Sequence, residues 1–456
     1  MKARRALIVA RAFGRPACVA GLLVASVAMV ALAHATLRRA DPPVGGRVTL
    51  PPRELRLEFS EAVAARTARV ELVAPDSQRV ALAVRGDSAL PNVLRADVPP
   101  LTASGAYRVE WRLVGPDGHA VTGKYGFVVD SIPVAQTDTA IAPHKEEEAH
   151  IPPSDSLAQQ SIRFASSLAL LVAVGSIAFA LFVLPAVARS DNATSYGDAV
   201  DNRLRWAGTM AGWALLLLAI IRLISHAAVL SGSVGALRVS DLGDLITSST
   251  FGRGWSLQVL GSIALIVVLR ARTPARWRMA AGPAVVLSIA AAMLGHAAAI
   301  ADVQALAVAV DATHALAASG WAGTILIFSA AALPSIGRVT AEHRLTVARH
   351  LLRAFSPLAL VCALILAATG VASAWLQLRD VGLLLNSPYG LALIRKVVVV
   401  VLIVALGAYH WRIAQPSLDT ERSLARLHTS LALDVVLVVL ILALTAVLTG
   451  TAPPVR

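Results

Sequence analysis

Two hydrophobic rhythms divide the chain. Between residues 54 and 129 apolar and polar residues alternate in short runs: Glu54-Leu-Arg-Leu-Glu-Phe59, Ala68–Val73, Tyr107–Leu113 and Lys124–Val129. Turn signals separate them: Asp41-Pro-Pro, Gly45-Gly46, Pro51-Pro52, Ala74-Pro-Asp, Arg85-Gly-Asp and Gly115-Pro-Asp-Gly118. Period-two alternation with turns at this spacing predicts an all-β sandwich of about seven strands over residues 34–130. From residue 161 onward the rhythm becomes long apolar runs: 161–188, 207–231, 255–270, 280–300, 303–334, 354–377, 391–411 and 428–449. These predict a polytopic α-helical membrane domain, 161–456, with eight transmembrane helices. The third run is short, and the fifth is long enough to tilt or protrude. Between the halves, residues 131–160 carry four prolines and Glu146-Glu-Glu148 and predict a flexible linker. His144 and His150 flank that acidic run, which reads as solvated charge.

The start of the chain has its own pattern. Lys2, Arg4, Arg5, Arg11 and Arg15 precede an apolar stretch, 17–33, that ends in Ala31-Leu32-Ala33. A basic region, an apolar region and a small-x-small triplet make a secretory signal peptide, 1–33, cut after Ala33. His34 then opens the mature protein with a free α-amine.

Composition fits this division. The chain has 456 residues, 56% of them hydrophobic, and a net charge of +13; its mean hydropathy is +0.68. Residues 161–456 hold 22 basic and 12 acidic groups, so most of the excess sits in the membrane half and needs no nucleic-acid partner. If the sandwich is exported, the inner loops 189–205, 270–278, 335–353 and 412–426 carry 14 Lys or Arg, and the outer segments carry four. That is the positive-inside pattern. The chain has two cysteines, Cys18 and Cys362, and only Cys362 outlasts the signal, so no intrachain disulfide or thiolate cluster is available.

The sandwich has two histidines, His34 and His119, and no methionine. Asp117 precedes His119 in the turn Gly115-Pro-Asp-Gly-His119. Amine and imidazole from His34, carboxylate from Asp117 and imidazole from His119 would give three nitrogens and one oxygen, a set that favours Cu(II). A plain surface turn is the competing reading.

His34-Ala-Thr-Leu-Arg-Arg-Ala-Asp-Pro-Pro-Val-Gly-Gly46, Leu57-Glu-Phe-Ser-Glu-Ala-Val63 and Pro116-Asp-Gly-His-Ala-Val-Thr-Gly-Lys-Tyr-Gly-Phe127 resemble, in order, the mature start, first core strand and signature segment of the periplasmic copper-binding CopC family. The resemblance implies a Greek-key sandwich of cupredoxin or immunoglobulin type and Cu(II) ligands at His34, Asp117 and His119. Without methionine, Cu(II) alone is expected in this domain.

In the membrane half, ionisable groups inside apolar spans cost roughly 2.5–3.5 kcal/mol each near the centre, so each invites a functional reading. Arg222 and His226, Met293 and His296, and Asp311 and His314 are spaced to share helix faces toward the outer ends of their spans, with Arg395 and Lys396 at similar depth. They predict an outer polar cluster: His226, Met293, His296, Asp311 and His314 as copper ligands, and Arg222, Arg395 and Lys396 as supporting charges. Buried ion pairs and snorkelling histidines are the structural alternatives. Asp434 lies toward the inner end of the last span, with His410 near it in depth.

Gly295-His-Ala, Asp311-Ala-Thr-His-Ala-Leu-Ala-Ala-Ser-Gly-Trp-Ala-Gly323, Phe355-Ser-Pro, Thr369-Gly370, Ser387-Pro-Tyr-Gly390, Lys396 and Gly407-Ala resemble the CopD integral-membrane family over most of 290–410. Two positions depart from it: Tyr409-His410 stands where relatives commonly have Asn, and Asp434 where they have Glu.

Together the resemblances imply a multi-pass bacterial inner-membrane protein, with its N-terminal domain in the periplasm, that takes part in copper homeostasis or resistance. The expectation is an importer rather than an enzyme. Its partners would be copper, held as Cu(II) outside and as Cu(I) or Cu(II) within the bilayer, the lipid itself, and periplasmic copper chaperones. Competing readings are a haem-dependent cupric reductase, a copper oxygenase and a membrane-anchored copper trap.

Overall fold

The computed structural model describes residues 37–59, 63, 65–87, 89–114, 120–130, 157–187, 194–231, 239–299, 303–378 and 382–449. The signal peptide, its cut, His34, Asp117, His119 and all but the last four residues of the expected linker lie outside these.

Eight strands make the first domain: β1 (Leu37–Asp41), β2 (Arg47–Val48), β3 (Glu54–Phe59), β4 (Arg69–Val73), β5 (Arg79–Gly86), β6 (Val93–Asp97), β7 (Gly105–Val114) and β8 (Ala120–Val129). They form one hydrogen-bonded array in the order β1-β3-β6-β5-β4-β7-β8-β2. The result is a half-barrel rather than two separate sheets, because β5 pairs with both β6 and β4. The eighth strand is β2, a two-residue strand parallel to β8 that is too short to leave an alternating pattern. Alternation puts Leu55, Leu57 and Phe59 of β3 inside. They pack with Val70, Leu72, Val109, Trp111, Leu113 and Phe127 into one core.

The second domain is helical: α1 (Leu157–Ala178), α2 (Thr194–Ser231), α3 (Val239–Ser248), α4 (Thr250–Arg270), α5 (Arg276–Met293), α6 (Gln304–Ala318), α7 (Ala341–Leu378), α8 (Leu383–Asn386), α9 (Pro388–Tyr409) and α10 (Glu421–Leu448). Helix α1 starts at Leu157, inside the stretch expected to be linker. Helix α6 continues through two π turns, Ser319–Gly323 and Phe328–Ala332. The whole rod Gln304–Arg338 has 35 residues, the long span the sequence predicts.

Seven helices among the described residues are long and apolar enough to cross a membrane, not eight. The expected span 280–300 falls on α5, which opens with Arg276 and Arg278 and breaks after Met293 into the 3-10 turn His296–Ala299. Its 18 residues reach only about 27 Å at 1.5 Å per residue, short of a ~30 Å hydrocarbon core. Arg276 is also engaged at the start of the helix, bonded to Asp201, which accepts from Trp277 as well.

Candidate functional site

Strand register brings the ends of the half-barrel that matter to one place. Leu37 of β1 pairs with Phe59 at the end of β3, and Glu58 pairs with Val93 at the start of β6. Gly86 at the end of β5 lies over Ala65, and Arg69 at the start of β4 pairs with Arg112 near the end of β7. Val114 pairs with Ala120 where β7 gives way to β8. The start of β1 follows His34 by three residues, and the β7–β8 connection carries Asp117 and His119. The segments bearing all three candidate ligands therefore issue from the same end of the half-barrel.

That end faces the membrane domain. The 3-10 turn Ala65–Thr67, which belongs to it, packs against α3, and both β7 and β8 pack against α2. Behind it the strands are held firmly. Gly123 lets β8 pass under Trp111, where a Cβ would fall 2.1 Å from the indole. Trp111 meets Phe59 edge-on at 6.2 Å.

Charged ladders line the outer surfaces of the strands. Arg85 and Arg95 both bond Glu54, at 2.6 Å each, and Arg95 also bonds Asp87. These hydrogen bonds hold the Glu54 carboxyl below its ordinary pKa, with Arg85 the larger influence. Asp87 is lowered first by the Ala89 amide and then by Arg95.

Within the membrane half the outer polar groups fall into two stations. In the first, His226 of α2 is buried and stacks on Phe251 of α4, ring centroids 4.5 Å apart. Its Nδ1 lies 2.8 Å from the Arg222 carbonyl. A carbonyl can only accept, so Nδ1 carries the hydrogen and Nε2 the lone pair. Met293 packs near Gly254, one turn along α4 from Phe251. The Arg222 guanidinium reaches Ser166 of α1 at 3.4 Å, close to Arg163.

The second station lies on α6, α7 and α9. His314 Nδ1 is 2.9 Å from Thr369 Oγ1. Asp311 and His314 both lie within electrostatic reach of Lys396, and Asp311 also within reach of Tyr389. Tyr389 donates a short hydrogen bond to Gln377, tying α9 to the end of α7. Lys396 therefore faces Asp311, whereas its neighbour Arg395 is exposed.

The turn His296–Ala299 packs against both α5 and α6, between the stations; the His296 side chain is outside those described. Among the described residues no three His, Cys, Asp or Glu side chains form a single metal shell. His226 and the Asp311–His314 pair are thus separate points rather than one cage. Thr369, Tyr389, Gln377 and Phe251 did not stand out in the sequence as site residues, since a hydroxyl, amide or ring inside an apolar run reads as packing. Thr369-Gly370 and Ser387-Pro-Tyr-Gly390 gave the usable signals.

At the other end of the bundle, the pairing that depth alone suggested is present: His410 Nδ1 lies 3.3 Å from Asp434 Oδ2. Ser430, one helical turn before Asp434, holds the other ring nitrogen at 2.8 Å.

Comparison with known proteins follows the same division. The CopC domain family matches residues 37–130, the N-terminal domain of copper resistance protein D-like proteins matches 154–303, and copper resistance protein D matches 349–448. The chain is 23% identical over 389 residues to the copper transport protein CutJ of Bacillus subtilis, covering 83% of this chain and 68% of that protein. It is 32% identical over 121 residues to copper resistance protein C of Escherichia coli, covering 25% of this chain and 94% of that one. Among solved structures, CopC from Methylosinus trichosporium OB3b is 32% identical, with a TM-score of 0.21, covering 21% of this chain and 94% of that chain.

Proposed function

The chain belongs to the copper-resistance family in which a CopC domain is joined to a CopD membrane domain, and on that premise we propose that it captures Cu(II) outside the cell and passes copper inward across the cytoplasmic membrane. It is a copper-handling membrane protein. The reading assigns capture to His34, Asp117 and His119 once the signal peptide 1–33 is removed. It treats residues 131–160 as tether and 161–456 as the transporting domain, with the sandwich in the periplasm.

One observation carries this reading. The strand ends next to His34, Asp117 and His119 share the end of the half-barrel that packs on α2 and α3. A captured ion then has a short way to His226, near the end of α2. Copper would move from His226 and Met293, by His296, to Asp311 and His314. Separate low-coordinate stations suit a cargo better than one closed cage, because a tightly enclosed ion is slow to leave. Lys396 beside Asp311 would keep that carboxylate from holding the ion permanently, while buried Arg222 and exposed Arg395 add positive charge nearby. As a carrier, the protein performs no bond-making chemistry of its own.

The test is copper accumulation at limiting external copper in cells making the wild type, His119→Ala, or His296→Ala/His314→Ala. Import predicts raised internal copper that both variants lose. Unchanged or lowered copper in the wild type would overturn import and favour trapping or export.

A further inference from the structure

The inner pair is built differently from the outer stations. Asp434 is 2% exposed in the middle of α10. Among the described residues its one ion-pair partner is His410. An intramembrane carboxylate with no arginine or lysine on it is costly to keep for packing alone.

The hydrogen bonds leave this pair two complete arrangements. Ser430 lies 3.1 Å from the Leu427 carbonyl and 2.8 Å from His410 Nε2. If its single proton goes to the carbonyl, Nε2 must donate to the hydroxyl. The contact at Nδ1 is then favourable only if one further proton lies between imidazole and carboxylate, making the pair neutral overall. If the hydroxyl turns and donates to Nε2, Nδ1–H faces an ionised Asp434 and the pair is singly negative. Rotation of one hydroxyl separates a loaded state from an unloaded one, and neither leaves a ring nitrogen unbonded.

A second, independent feature falls on the same residue. Helix α9 turns π-helical at His410–Ala414, with Gln415 N bonded to His410 O. Such turns interrupt the regular ladder and are frequent at functional sites. The neighbourhood is otherwise electrically quiet. Tyr409 is in tilted ring contact with His410, and Arg412 lies over Trp411. Among the described residues Arg426 and His428 of α10, Arg353 of α7 and Arg163 of α1 bond to neither member of the pair.

We propose that His410 and Asp434 form a proton-exchange gate at the inner end of the copper path. The ion passes while the pair is unloaded and negative, and is held back while a proton from the inner side occupies it. This inference rests on the transport reading above.

The experiment uses the full mature chain in lipid vesicles with the sandwich outside, given Cu(II) or ascorbate-reduced Cu(I), with internal and external pH set independently. Wild-type uptake should slow as internal pH falls, by about tenfold per unit below the midpoint, the slope of a single-proton equilibrium. Asp434→Asn and His410→Gln should abolish the dependence on internal pH while leaving that on external pH. Ser430→Ala, which keeps both titrating groups, should shift the midpoint, and it decides the matter if the other two variants do not fold. Internal-pH dependence unchanged in these variants would overturn the gate and leave transport standing. No uptake by the wild type at any pH would overturn the transport reading itself.

Discussion

Gly175 of α1 and Gly323 of the α6 rod bring two helix backbones into direct contact. A Cβ on Gly175 would lie 2.2 Å from the Gly323 carbonyl carbon, and one on Gly323 would lie 2.0 Å from the Leu171 carbonyl oxygen. Close approach of small residues is how helices associate in lipid, where apolar burial drives little. Gly175→Val or Gly323→Ala must force the helices apart, at a cost of about 1–3 kcal/mol by comparison with overpacked cores. Cys362, buried and in reach of Gly320 on the same rod, is a built-in reporter. Its reaction with a thiol dye on heating should begin several degrees lower in either variant than in the wild type.

The contact shows what periodicity conveys and what it leaves out. The alternation at Glu54–Phe59 and the apolar runs after residue 161 are local, so an all-β first domain and most spans were legible in the sequence, whereas the pairing of β5 with both β4 and β6, which makes a half-barrel of the expected sandwich, is long-range and leaves no period. The eighth expected span, 280–300, does not appear among the seven because hydropathy does not show where a helix ends: α5 stops at Met293 and gives way to a 3-10 turn. Strand β2 escaped notice because a two-residue strand has no period. In the site, the inner pairing of His410 with Asp434 followed from matched depth along adjacent helices. Among the described residues the outer groups do not share one metal shell, because depth says nothing about rotation: His226 turns onto Phe251, and His314 onto Thr369.

Acid should loosen the half-barrel through its charge ladder. Glu54 is held below its ordinary pKa by Arg85 and Arg95, and Asp87 by the Ala89 amide and Arg95. A carboxyl depressed in the folded state contributes stability above its unfolded pKa, and that contribution disappears as pH falls through the folded value. The loss should therefore begin near pH ~4.3 and continue below it. Because these groups face solvent, the effect is modest and falls with salt. Protease resistance of the sandwich in the intact protein, followed from pH 6 to 3, should decline in this window. Arg95→Met should be less stable at pH 6 and converge with the wild type at pH 3.

On the proposed capture site, Cu(II) binding should depend on the α-amine that a cut after Ala33 would leave on His34. An amine and an imidazole on one residue can close a chelate ring, and a single alanine inserted before His34 removes the amine from it. Cu(II) affinity should fall by at least tenfold, and the electron paramagnetic resonance spectrum should lose nitrogen coupling. Asp117→Asn should weaken binding while keeping the nitrogens. Affinity unaltered by the inserted alanine would mean that the α-amine is not a ligand.

On the proposed path, Thr369 should set which nitrogen of His314 meets copper. The threonine hydroxyl lies 2.6 Å from the Ile365 carbonyl and 2.9 Å from His314 Nδ1. With the hydroxyl proton on that short carbonyl bond, Nδ1 donates to the hydroxyl oxygen, and Nε2 keeps its lone pair for the metal. Gly370 lies beside the ring, where a Cβ would sit in ordinary van der Waals contact with His314 Cε1, at 3.7 Å. Thr369→Val has nearly the same shape but cannot accept, so the imidazole loses both its tautomer and its orientation. Partners of this kind, one step behind a ligand, typically account for 10–100-fold in metal affinity. Copper uptake at limiting concentration should fall within that range in Thr369→Val and recover in Thr369→Ser, with Cu(II) binding by the sandwich unchanged in both. Equal uptake by the valine variant would show that His314 needs no fixed tautomer, and so would remove it from the path as a ligand.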